Sequence, residues 1–183
     1  MALSSEQASQ ALRDLEAVSQ RSGQLYRYQR TAPMLMLWGV IWIIGFGATQ
    51  LAPASAPWLW IVLDVVGVLG CIYLGKHGKH DASANTSWRW LASILTIAAF
   101  YVLALTILPP SHGSQVAAFI ALIVALFYVL AGLWIGTRLA IIGIALAALT
   151  VFGYFMLAAY FALWMAVVGG GALILGGLWL RTA

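Results

Sequence analysis

The sequence predicts an all-α integral membrane protein, a bundle of six transmembrane helices arranged as three helical hairpins and preceded by a cytoplasmic amphipathic helix. Three observations carry that prediction: composition, the length of the apolar runs, and the placement of the basic residues. Of 183 residues, 63% are hydrophobic and 8% charged, whereas an ordinary soluble domain carries about 25% charged residues. Nine Lys plus Arg and five acids cannot clothe a soluble core of this size in polar surface. The net charge of +4 does not point to nucleic acid, because the basic residues are scattered at the ends of apolar runs and not gathered on one face. A single cysteine, Cys71, offers neither a disulfide framework nor a CxxC metal or redox motif.

Residues 1–32 differ in composition from everything after them. They lack a basic start, an apolar segment and a small-residue cleavage site, so they are expected to be retained. Ser4 and Gln7 form a capping-box pattern, and Ala8, Ala11, Leu15, Val18, Ser22 and Leu25 recur at three and four. Arg21, Arg27 and Arg30 suit the end of a helix dipole. A helix over about residues 5–30, weakened at Gly23, follows. Its thin apolar stripe reads as a helix lying on the membrane surface or against its own bundle, with self-association or partner docking as the other reading.

The transmembrane domain is predicted over 33–183. Each of its apolar runs is about twenty residues long, the length an α-helix needs to cross about 30 Å of hydrocarbon. The spans fall at about 33–51, 58–75, 88–108, 116–136, 139–157 and 160–180. No Pro, Gly pair or charge separates the last two. Arg138 and Arg181 bracket forty-two residues, which as one helix would be about 63 Å long, twice the bilayer. The run is therefore expected to fold back near residues 158–161.

Orientation comes from the basic residues. Arg13, Arg21, Arg27 and Arg30 precede span one, Lys76, Lys79 and Arg89 lie between spans two and three, Arg138 between four and five, and Arg181 after six. The alternate connections carry no Lys or Arg, so both termini are expected to be cytoplasmic. Trp58, Trp60, Tyr160 and Trp164 fall at the outer level, and Tyr73, Trp88, Trp90, Trp134 and Trp179 at the inner level, as interfacial aromatics do. Spans two, four and six share an aromatic–small–basic ending, a weak parallel repeat. Ala117, Ala121, Ala125, Gly132 and Gly136 in span four, and Ala162, Ala166 and Gly170 in span six, have the spacing that lets backbones approach closely. The expectation is intramolecular packing, with a homo-oligomer through these faces as the other reading. Gly169, Gly170 and Gly171 mark a kink or a close approach.

The chemistry is sparse. Asp64 stands near the middle of span two, where a charge costs roughly 2.5–3.5 kcal/mol on insertion scales. Tyr101 and Thr96 of span three complete the candidate intramembrane site; Ser93, Thr106, Tyr128, Thr150 and Tyr154 are further hydrogen-bonding side chains in the spans. Three roles are open to Asp64: a neutral acid bonded to a neighbouring hydroxyl or carbonyl, a proton- or cation-coupled site, or a polar lock between subunits. His77, His80 and Asp81 are metal-capable, but a Gly-containing loop with two lysines is a poor setting for a cation. His112, in the outer turn, reads as solvated. No phosphate loop, GxSxG elbow or HExxH helix is present, so no metal, cofactor or enzymatic activity is expected.

In size and hydropathy the chain resembles small multipass proteins of bacterial inner membranes, a likeness that transfers no site. The expected location is the inner membrane and the expected partner the lipid bilayer. Two functions compete: a small proton- or ion-coupled transporter built around Asp64, and a regulatory or scaffold protein acting through its N-terminal helix. The topology is directly testable. Reporters fused at Ala183 and after Arg30 are expected to read cytoplasm, and one at Ser111 the opposite side; a non-cytoplasmic signal at Ala183 would mean an odd number of spans.

Overall fold

Apolar composition and helical periodicity lead to an all-helical chain. A computed structural model describes the backbone over residues 5–76 and 84–182, with side chains at 10, 14, 15, 18, 22–75 and 95–182. The helices are α1 (Ser5–Leu51), α2 (Ala56–Lys76), α3 (Ala84–Ile107), α4 (Gly113–Ile135), α5 (Thr137–Met156) and α6 (Ala158–Arg181). Among the described residues there is no strand. Five helices are long and apolar enough to cross a membrane, namely the Ser22–Leu51 part of α1, most of α2, and α4, α5 and α6, while α3 contributes the apolar segment Leu95–Ile107.

α1 departs from the expected helix over 5–30: it continues without a break through Pro33 to Leu51. Proline removes one amide donor and crowds the carbonyl four residues back. Here that residue is Gln29, which is exposed, and α1 stays helical across the proline. Beyond Pro33, α1 is the hub of the bundle and packs on α2, α4 and α6. Leu35, Ile41, Trp42 and Phe46 are almost wholly buried.

Glycine sets the tightest contacts. A Cβ on Gly39 would meet the Gly170 carbonyl oxygen at 2.8 Å, and one on Gly170 would meet the Gly39 carbonyl at 2.8 Å, so α1 and α6 touch backbone to backbone. α4 and α5 do the same where Gly143 lies against the Ala125 carbonyl. The small-residue faces of spans four and six are thus filled within the chain, with Ala121, Ala125, Ala166 and Gly170 all buried. Gly170 supplies the close approach expected of the triple glycine, and the preceding turn, Met165–Gly169, is π-helical.

The fold-back between α5 and α6 falls at Leu157, whose φ of −127° and ψ of 39° end α5 before the short 3-10 turn Ala158–Tyr160. Length forced that turn; the backbone geometry fixes its place. The α4–α5 turn is a single residue, Gly136, at φ 149° and ψ 156°, a region open in practice only to glycine. A side chain there would also run into the Tyr28 hydroxyl and the Gln24 amide.

Gly136→Ala is therefore expected to cost more than the about 1–3 kcal/mol of backbone strain alone. Gly171, helical and with open space around its absent Cβ, should respond oppositely, Gly171→Ala stabilising by about 1 kcal/mol. Thermal unfolding of the two variants in detergent checks the pair, and the reverse ranking would contradict the packing described.

Candidate functional site

The inward stripe of α2 is Trp60, Leu63, Gly67 and Gly70. Cβ atoms on Gly67 and Gly70 would meet Trp38, Ile41 and Leu37 of α1, and Trp60 packs edge-on to Phe46 at 5.1 Å while donating its Nε1–H to Thr49 Oγ1 at 3.0 Å. At 100° per residue, Asp64 then stands roughly a quarter-turn off that stripe. It is exposed, in an open hollow of about 270 Å³ shared with Val65, Val68 and Leu69.

The three candidate residues do not converge. Tyr101, half-buried, stacks on Phe119 of α4 with ring centroids 5.9 Å apart and planes 18° from parallel. Thr96 is exposed on α3. No hydrogen bond or ion pair among the described residues joins Asp64 to either of them. The stripe that packs α2 on α1 leaves the carboxyl exposed to one side of that contact, with no bond to Tyr101 or Thr96. Thr150 instead satisfies its own backbone, Oγ1 donating to the Leu146 carbonyl at 2.8 Å, and Thr106 does so to Leu103 at 2.7 Å. His77, His80 and Asp81 lie outside the described residues. Among the described residues no three His, Cys, Asp or Glu side chains could hold a metal ion. His112 precedes α4, where Gln115 Oε1 accepts the Ser111 and His112 backbone N–H groups.

The polar groups that do converge lie at the arginine end. The last carbonyls of a helix lack intrahelical donors, and three helices have theirs supplied by arginine. Arg30 donates to the Gly75 carbonyl of α2 at 2.8 Å, Arg27 to the Trp134 carbonyl of α4 at 3.2 Å, and Arg138 to the Trp179 carbonyl of α6 at 3.0 Å. Arg138 also lies over the Trp179 ring, 5.1 Å from its centroid. Tyr28, 3% exposed, binds the α4–α5 turn to α1, its hydroxyl accepting the Gln24 Nε2–H at 3.1 Å and the Arg138 backbone N–H at 3.3 Å. Sequence reasoning used these arginines for orientation alone and missed Tyr28. The available signal was the shared aromatic–small–basic ending of spans two, four and six, which marks three helix ends needing donors at one level.

No family model, curated protein or solved structure matches the chain. What the arrangement can do chemically is therefore read from its own residues. The arginine end holds helix ends together and presents positive charge. Asp64 can exchange a proton or accept a hydrogen bond from whatever reaches the hollow beside it.

Substitution of Asp64 separates these roles. Asp64→Asn keeps a donor and an acceptor at similar volume, and is expected to preserve folding. Because no described partner is orphaned, Asp64→Leu is also expected to preserve or raise thermal stability. A loss of about 1–3 kcal/mol with Leu, the cost of an unsatisfied buried partner, would show that the carboxyl is bonded after all.

Proposed function

We propose that the protein is a six-span scaffold of the cytoplasmic membrane, with both ends on the cytoplasmic side, that holds α1 as a rigid arm for a partner on that side. α3 is its sixth span, and the arginine end is its cytoplasmic face. The observation that carries this reading is the unbroken course of α1. Its 47 residues make a rod about 70 Å long. One part is buried among α2, α4 and α6, while Leu15 and Val18 on the other are 66% and 64% exposed. Arg27 and Arg30 bond to α4 and α2 where the two parts meet. A partner that tilts the arm therefore acts on the helix ends that the arginines hold. No catalysis is assigned.

A second reading, a proton- or ion-coupled carrier, is supported by Asp64 itself, an acid in an otherwise apolar helix beside a hollow of about 270 Å³. The scaffold reading is preferred because it uses the long helix and the arginine end together, whereas the carrier reading rests on one side chain.

Two measurements test the preference. Photo-reactive residues at Leu15 and Val18 are expected to give a discrete protein adduct in cells that a reactive residue at Trp58 does not give. Deleting residues 2–20 is expected to leave a folded, extractable bundle. Identical adducts from Trp58, or aggregation of the shortened chain, would remove the scaffold reading; pH-driven flux in vesicles that Asp64→Asn abolishes would put the carrier in its place.

A further inference from the structure

Between α5 and α6 the surface carries a groove of about 220 Å³. Ile142, Leu146 and Leu173 form its floor and are at most 7% exposed. Ala145 and Ala172 leave it open, and Trp179, 40% exposed, stands at its mouth. These two helices pack less extensively than α4 on α5 or α1 on α6, which leaves room that close glycine contacts remove elsewhere. From Arg138 and Trp179 to Ala145 and Ala172 the groove runs seven residues, about 10 Å along the helices.

The head of the groove is cationic. Arg138 uses one N–H on the Trp179 carbonyl, and a guanidinium carries five such donors. Its remaining side-chain N–H groups meet no protein acceptor among the described residues. Arg181, exposed at the end of α6, adds a second positive charge. No Asp or Glu occurs anywhere after Asp81, so α4, α5 and α6 offer these arginines no counter-ion. An apolar channel ending in arginine with no described carboxylate partner and in an indole, at the end of helices long enough to span a membrane, has the chemistry of an anionic lipid site.

We propose that this groove seats one anionic phospholipid. Its acyl chain lies over Ile142, Leu146 and Leu173, and its headgroup phosphate accepts hydrogen bonds from Arg138. The site requires only a membrane location, so its failure would leave the role of the α1 arm standing, and failure of the arm would leave the site standing.

The test uses the full chain purified in neutral detergent and measures the thermal-unfolding shift on adding phosphatidylglycerol or phosphatidylcholine. At about a hundredfold excess over the dissociation constant, phosphatidylglycerol is expected to raise the midpoint by roughly 5–10 °C, with phosphatidylcholine giving less than half of that. Arg138→Gln removes the headgroup donors, and Ala145→Phe fills the groove without touching the arginine; each is expected to abolish the excess shift. Because the reading is the lipid-induced change, a lower starting midpoint from the lost α6 cap does not enter it. Equal shifts from the two lipids, or an excess that survives either substitution, would overturn the proposal. Native mass spectrometry reads the same site independently: one anionic lipid retained by the wild type and lost from Ala145→Phe supports it, and a wild type that retains none overturns it.

Discussion

The structure depends on how helix ends are satisfied where water is scarce. A carbonyl left without a donor in an apolar setting is costly, and the last turn of each helix has several. Arg27 and Arg30, one turn apart on α1, reach the ends of α4 and α2, and Arg138 at the start of α5 reaches the end of α6. Each guanidinium also places positive charge at the negative end of a helix dipole. These contacts bring the ends of α2, α4 and α6 to the level of one short stretch of α1. The same residues that orient a membrane protein through their charge thus act as caps through their geometry.

Backbone proximity does the remaining work of association. Apolar side chains gain little by leaving lipid for one another, so packing quality decides which helices pair. Glycine and alanine provide it in α1–α6 and α4–α5, where a carbonyl oxygen crowds the space that a Cβ on the opposing glycine would take. The α5–α6 pair lacks such a run along its whole length, and the groove between Ala145 and Ala172 is the consequence. The exposed apolar side chains of α2, such as Ile61, Val62 and Val66, are consistent with lipid contact. Asp64 is exceptional among them as an acid.

The arginine end and Asp64 stand for two ways of placing polar atoms in an apolar protein. At the arginine end Arg27, Arg30 and Arg138 each give an N–H to a helix-end carbonyl, and Tyr28 ties α1 to the α4–α5 turn. Asp64 has no partner among the described residues and stands exposed beside the α1–α2 contact. A network of the first kind suits a helix that must carry displacement from its exposed half to its buried half. A residue of the second kind suits contact with something outside the bundle.

Composition and run length by themselves determined that the chain is helical, with segments long and apolar enough to cross a membrane, because a helix that bridges the hydrocarbon needs about twenty apolar residues. Length also required a fold-back, since forty-two residues between Arg138 and Arg181 exceed one crossing, and it was expected near residues 158–161; the backbone turns at Leu157. The stripe Trp60, Leu63, Gly67 and Gly70 was legible too and would have turned Asp64 outward, had it been weighed against the pull of a buried acid toward a partner. Tertiary structure alone decided that α1 runs through Pro33, because a proline inside a helix removes a hydrogen bond and packing against other helices must offset that loss. It alone decided which small faces pair and which arginine caps which helix, because these depend on contacts between residues such as Arg27 and Trp134, more than a hundred positions apart. Periodicity records the face a helix buries; it does not record what that face meets.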